Sequence, residues 1–152
     1  MKKFIFLICA ALFAFTSCEK DDDPNSWLYG TWQLYELSIS QGDGYSITID
    51  KAMLDANFFG TMKFDNSGSC NIIVKNLGED FDNTPHGGTI VDQTLNFTIS
   101  ESDLKVGKYN TKYLHNGEDL IINGDGSYIF DMLQGGAEKD NMSTVFKFTK
   151  IN

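Results

Sequence analysis

Beyond an apolar run from Phe4 to Phe15, hydrophobic positions recur in short alternating stretches parted by glycine-containing turns. Alternation with a period of two marks strands that bury one face. The first stretch, Thr31 to Ile39, places Trp32 and Leu34 on one parity and Tyr35, Leu37 and Ile39 on the other. A change of phase within one strand predicts a bulge or a strong bend. After the turn Gly42-Asp43-Gly44, Tyr45, Ile47 and Ile49 alternate with Ser46 and Thr48. Asp50 is placed to cap a two-turn helix over Lys51 to Asn57. Phe58 to Asp65 and Ser69 to Lys75 flank Asn66-Ser67-Gly68 and form the clearest hairpin, with Phe58, Met62 and Phe64 facing Cys70, Ile72 and Val74.

Asn76 to Gly88 is polar and reads as a long loop. Thr89 to Asp92 is a short strand and Thr94 to Ile99 another, with Leu95, Phe97 and Ile99 inward. Leu104 to Leu114 reads as one long strand that Gly107 bulges. Asn116-Gly117 is a type I′ turn signal, with a strand at Glu118 to Ile122 after it. Gly124-Asp125-Gly126 turns again, Tyr128 to Leu133 is either strand or short helix, and Gln134 to Asn141 is a loop. Met142 to Lys150 closes the series with Phe146 and Phe148 inward. The sum is an all-β chain of eight to ten short strands in up-and-down order, with one short helix and no βαβ unit. A sandwich or a barrel satisfies such a pattern. A meander this long removes its exposed edges by closing on itself, so the expected fold is an antiparallel up-and-down β-barrel.

Composition narrows the classes of function. The 152 residues are 41% hydrophobic and 22% charged, with 14 glycines against two prolines, an ordinary balance for one globular domain. The formal net charge is −9, and every cationic side chain is a lysine. So acidic a chain has no electrostatic footprint for nucleic acid. Without arginine it also lacks the bidentate guanidinium clamp for phosphate or carboxylate.

Lys2 and Lys3 ahead of the apolar run read as a signal peptide, and the run is too short to span a bilayer as a helix. Thr16-Ser17-Cys18 resembles a bacterial lipobox, with Phe15 where that motif usually has Leu. The resemblance implies cleavage after residue 17 and a diacylglyceryl anchor, palmitate-like in its chains, on Cys18. The two leading lysines leave with the signal, so the mature charge becomes −11. One acyl chain holds only marginally at ~0.8 kcal/mol per buried methylene, whereas two or three hold firmly. Glu19-Lys20-Asp21-Asp22-Asp23 is composed as a solvated tether. A lysine followed by an acidic run directly after the lipidated cysteine also resembles the surface-export signal of Bacteroidetes lipoproteins. The resemblance implies an outer-membrane protein facing the cell exterior. The expected division is a signal peptide at 1–17, a lipidated acidic tether at 18–26 and a barrel domain at 27–152. Cys9 departs and Cys18 is lipidated, which leaves Cys70 alone and no intramolecular disulfide. Within its strand Cys70 reads as a small buried hydrophobe.

Gly30-Thr31-Trp32, opening the first strand, is similar to the start of lipocalins, where the Trp plugs the closed end of the barrel. Phe64-Asp65-Asn66-Ser67-Gly68 at the first tight hairpin, Leu120-Ile121-Ile122 after the Asn-Gly turn and the terminal Phe146-Lys147-Phe148-Thr149-Lys150 follow in order. Together they resemble the lipocalin-like lipoproteins of Bacteroidetes over residues 27–152. Two departures separate the chain from classical lipocalins. Those set an arginine against the Trp, and this chain has none. They also place a helix after the barrel, whereas here two residues follow Lys150. The resemblance implies a lipocalin-like barrel that binds a small, mainly apolar molecule.

The aromatic residues carry the functional reading. Inward candidates for a ligand site are Trp32, Tyr45, Phe64, Phe97, Tyr109, Tyr113, Phe130 and Phe148, beside Phe146, with tyrosine hydroxyls to orient the ligand. The same residues also read as a filled core, since a barrel of about eight strands can be just plugged by its own side chains. In that case the protein is a non-catalytic protein- or glycan-interaction module, with exposed loop aromatics such as Tyr45, Phe81 or Tyr128 as its contacts. Interior volume decides: a ligand needs a cavity of ~300 Å³ or more. No nucleophile–base set or phosphate loop is visible, so neither an enzyme nor a cofactor is expected. His86 near Asp80 and Asp82, and His115 near Glu118 and Asp119, read as solvated loop residues. The acidic stretches at 80–83 and 119–125 lack EF-hand spacing, so no metal is expected. The expected partners are the lipid bilayer, through Cys18, and a small apolar ligand.

Overall fold

The computed structural model of the chain describes residues 23–42, 44–78, 85–124 and 142–151. Among them are nine strands and one helix: β1 Gly30–Gln41, β2 Ser46–Ile49, α1 Lys51–Asn57, β3 Phe58–Phe64, β4 Ser69–Asn76, β5 Thr89–Ile99, β6 Asp103–Val106, β7 Tyr109–Asn116, β8 Asp119–Gly124 and β9 Met142–Ile151. Every ladder is antiparallel. The order runs β1-β3-β4-β5-β6-β7-β8-β9, and β9 pairs back onto β1, so eight strands close into a barrel. β2 is an annex: it pairs with the second half of β1 (Leu37↔Ile49, Ile39↔Ile47), while β3 takes the first half (Gly30↔Phe64, Trp32↔Met62).

The change of phase in β1 is a bulge. The β1–β9 register shifts between Leu34, opposite Phe148, and Glu36, opposite Lys147. Tyr35 is the extra residue, and it faces outward beside Glu36, Lys147 and Asp119. Burial raises its hydroxyl pKa, and the Asp119 carboxylate raises it further. The Glu36–Lys147 ion pair (2.7 Å) spans the strands at this point and raises the Lys147 pKa. Below the bulge Trp32 faces in, and above it Leu37 and Ile39 do. The bulge therefore keeps one strand apolar on its inner face through the bend a barrel requires.

α1 begins as its sequence predicts, with the Asp50 carboxylate accepting the Met53 amide at 3.0 Å. Its end is tied to the β4–β5 connection, where the Leu77 and Gly78 amides both donate to the Asn57 carbonyl. Two readings of the sequence are corrected. Leu104 to Leu114 is two strands, joined at Gly107-Lys108 with Val106 opposite Tyr109. Gly107 takes φ +59, a region cheap only for glycine, so it turns the chain instead of bulging it. Thr89 to Ile99 is one strand: its pairing with β4 runs without a break from Val91 to Asn96, through Gln93, and the one irregularity leaves out Ile90.

Candidate functional site

One end of the barrel is shut by the chain that leads into it. Residues 23–29 form successive turns, with the Ser26 amide donating to Asp23 and the Leu28 amide to Asn25. Tyr29 donates its hydroxyl to the Asp23 carboxylate, which holds that carboxyl below the usual range. This path lays Trp27 flat over His115 (4.0 Å between ring centres, 15°) and over Tyr113 (5.7 Å, 26°), with its edge to Trp32 (6.4 Å, 81°). Trp32 is fully buried and donates its indole N–H to the Leu28 carbonyl at 2.7 Å. The Lys150 ammonium donates to the Trp27 carbonyl at 2.7 Å and lies 5.4 Å from the centre of the Trp32 ring. A lysine thus stands as the cation against the Trp, in a chain without arginine. Trp27 escapes a reading by alternation because it precedes β1, whereas Lys150 shares the parity of Phe146 and Phe148 and escapes it because its side chain is charged.

The expected interior residues divide. Trp32, Phe64, Phe97 and Phe148 are buried, and Phe64 meets Phe97 edge to face at 5.1 Å. Tyr109 is half-buried and lines the interior. Tyr113 is half-buried under Trp27 and donates its hydroxyl to the Ser100 carbonyl at 2.9 Å, so it belongs to the closed end. Tyr45 is 58% exposed and precedes β2, so the inward placement read from its alternation is corrected. Phe130, Cys18, Phe81 and Tyr128 lie outside the described residues. His115 is corrected too: it is half-buried by its stack on Trp27, and its Nε2 lies 2.6 Å from the Gly117 carbonyl.

Among the described residues, the interior is filled where β3, β6, β7, β8 and β9 face one another. The gap bounded by Met62, Leu104, Val106, Tyr109, Thr111, Ile122, Phe146 and Phe148 amounts to about 10 Å³. That is room for about one water molecule, against ~300 Å³ for a small-molecule pocket. Within this lining the Thr111 hydroxyl donates to the Leu104 carbonyl at 2.7 Å. Cys70 is fully buried in the same core. Burial pushes its thiol up to about 12, so the reactive thiolate is suppressed.

The opposite end is different in character. There Tyr45 (58%), Ile47 (42%) and Met53 (53%) are exposed large hydrophobic side chains on the β1–β2–α1 flap. Just inside, Thr144 is 1% exposed, and its hydroxyl has no hydrogen-bond partner among the described residues. Also among the described residues, no three His, Cys, Asp or Glu side chains converge as metal ligands.

No protein-family model matches the chain, and no curated protein matches it. Among solved structures, a lipocalin-like protein from Bacteroides uniformis is similar at 17% identity, with a TM-score of 0.44, over 82% of this chain and 98% of that one. The assignment of this chain as a closed antiparallel β-barrel rests on its own ladders, from β1 round to β9 and back.

Proposed function

We propose that this chain is an outer-membrane lipoprotein held by Cys18 and facing the cell exterior, and that its barrel is a solid scaffold for a non-catalytic interaction module. The filled interior among the described residues carries the second half of this reading, because about 10 Å³ admits no apolar ligand. The contact surface is the β1–β2–α1 flap, where Tyr45, Ile47 and Met53 present apolar surface to solvent. The partner is a protein or a glycan with an apolar face. The anchor half rests on the lipobox-like Thr16-Ser17-Cys18 and the acidic run after it.

A photo-crosslinker at Tyr45 in intact host cells should give a discrete adduct, and one at Lys63, exposed on β3, should not. Equal labelling from both positions overturns the flap as the contact. Cys18→Ala should leave the membrane fraction, and protease should shave the wild-type protein from intact cells. Full protection would place it inside.

A second reading, a small ligand beside the flap, is favoured by Thr144. A buried hydroxyl without a partner costs about 1–3 kcal/mol, which the polar atom of a ligand would relieve. Native mass spectrometry of protein from its own host separates the two readings. A retained molecule that Thr144→Val loses supports the second, and bare protein supports the first.

A further inference from the structure

β2 is the outermost strand of the sheet, and among the described residues no strand lies beyond it. Its hydrogen-bonding phase follows from the turn that leads into it. The Gln41 amide donates to the Tyr45 carbonyl at 2.8 Å, so Gln41 and Tyr45 are a hydrogen-bonded pair. Such pairs alternate along an antiparallel ladder. Ile39↔Ile47 and Leu37↔Ile49 therefore exchange hydrogen bonds, whereas Ser40↔Ser46 and Ser38↔Thr48 do not. The Ser38 and Thr48 hydroxyls, 3.0 Å apart, agree with this phase, because side chains of non-hydrogen-bonded pairs stand closer. The amides and carbonyls of Ser46 and Thr48 thus point away from β1, and none of them has a backbone partner among the described residues.

Edge strands are commonly blunted by a lysine, a proline or a bulge. Ser46-Ile47-Thr48-Ile49 has none of these: it is uncharged and pairs with β1 without a register shift. Ser46, Ile47 and Thr48 are all exposed. On a chain of net charge −9, an uncharged strand lets two copies meet without like charges opposing. The strand also complements itself. A two-fold axis through Ile47 sets Ser46 against Thr48 of a second copy, and Thr48 against Ser46 of that copy. Every edge group of both residues then has a partner. Between these pairs Ile47, 42% exposed in the single chain, meets Ile47 of the copy, a β-branched cross-strand pair. A glycan cannot continue such a ladder, and a charged peptide finds no opposite charge along it.

We infer that a second copy of this chain docks antiparallel on β2, edge to edge, about Ile47. The inference rests on the flap as the contact surface and names its partner. So short a strand makes a small interface, so the pair is weak and forms where copies are concentrated.

The test places single cysteines in the whole purified protein and oxidises it mildly, with the wild type alongside to report any contribution of its own thiols; Cys70 is fully buried. Opposed residues of a non-hydrogen-bonded pair lie ~4.5 Å apart at Cα, within disulfide reach. Ile47→Cys should therefore give a covalent species of twice the chain mass. Ser46→Cys, on an equally exposed neighbour, should not, because it faces Thr48 of the copy. Thr48→Pro removes an edge amide that β1 does not use. Added to Ile47→Cys, it should lower the yield of the dimer about tenfold, since one hydrogen bond is lost from each copy. Thermal unfolding matching the wild type shows that the fold is kept. The inference is overturned if Ile47→Cys stays monomeric, if Ser46→Cys cross-links as fully, or if Thr48→Pro has no effect. A photo-adduct from Tyr45 to a different protein, with Ile47→Cys monomeric, overturns the second copy and leaves the flap as the contact. Neither adduct nor disulfide overturns both.

Discussion

Lys150 lies opposite Trp32 in the β1–β9 ladder, and its side chain passes over Gly30. Gly30 takes φ +123, and a Cβ there would come within 3.1 Å of Lys150 Cε, so the absent side chain leaves the channel through which the lysine reaches Trp27 and Trp32. Lys150→Met removes the hydrogen bond to the Trp27 carbonyl and the charge over the indole. The expected loss is about 1–2 kcal/mol in chemical denaturation, and Lys150→Arg should recover most of it. Asp65 supplies a pH dependence. Its carboxylate accepts from the Ser67 hydroxyl and from the Ser67 and Ser69 amides, which holds it below the ordinary value of 3.8. A carboxyl that is more acidic folded than unfolded binds fewer protons in the native state. Its contribution is therefore complete above that ordinary value and lost as pH falls through the lower, folded one. Acid unfolding curves of Asp65→Asn should be flatter in that window, with the gap from wild type narrowing as acidity rises. Side-chain identity made the core legible in the sequence at Trp32, Phe64, Phe97 and Phe148. It misled at Tyr45, because alternation describes a strand and Tyr45 stands one residue before one.

At the scale of elements, β1 was the most readable. Its phase change called for a bulge or a strong bend, and the register shift falls there. Deleting Tyr35 should turn either Trp32 and Leu34 or Leu37 and Ile39 outward, since a slip of one residue exchanges the two faces of a strand. The expected result is insoluble protein. By contrast, replacing Tyr35 with Thr keeps the count and should stay soluble with a small loss of stability. The β6–β7 turn was not legible, because a glycine inside an alternating run signals a bulge or a turn alike. What distinguishes them is the partner across the ladder, Tyr109 opposite Val106, and pairing is a property of the assembled sheet. The closed end was half legible for the same reason. The Trp32 plug is written in local sequence, but Trp27, His115 and Lys150 meet only after distant strands have come together.

Over the whole molecule, the first strand and the last are neighbours. β9 pairs with β1 along Thr31↔Ile151 to Gln41↔Met142, and this ladder is what turns a sheet into a barrel. A sheet can be partly built and partly stable; a closed ring cannot. β1 has β3 on one flank from the moment residue 64 exists, yet its other flank stays open until residues 142–151 arrive. That loop spans most of the chain, and long loops make folding slow because their closure entropy is met before any contact offsets it. Removing residues 142–151 should therefore abolish cooperative unfolding instead of weakening it, as read by loss of the Trp fluorescence transition. The same geometry sets a timetable. Until the last strand is delivered, β1 and β8 are bare edges able to pair with other chains. Before Met142–Ile151 has docked, escape from such pairing requires that the chain be extended or kept apart from its copies.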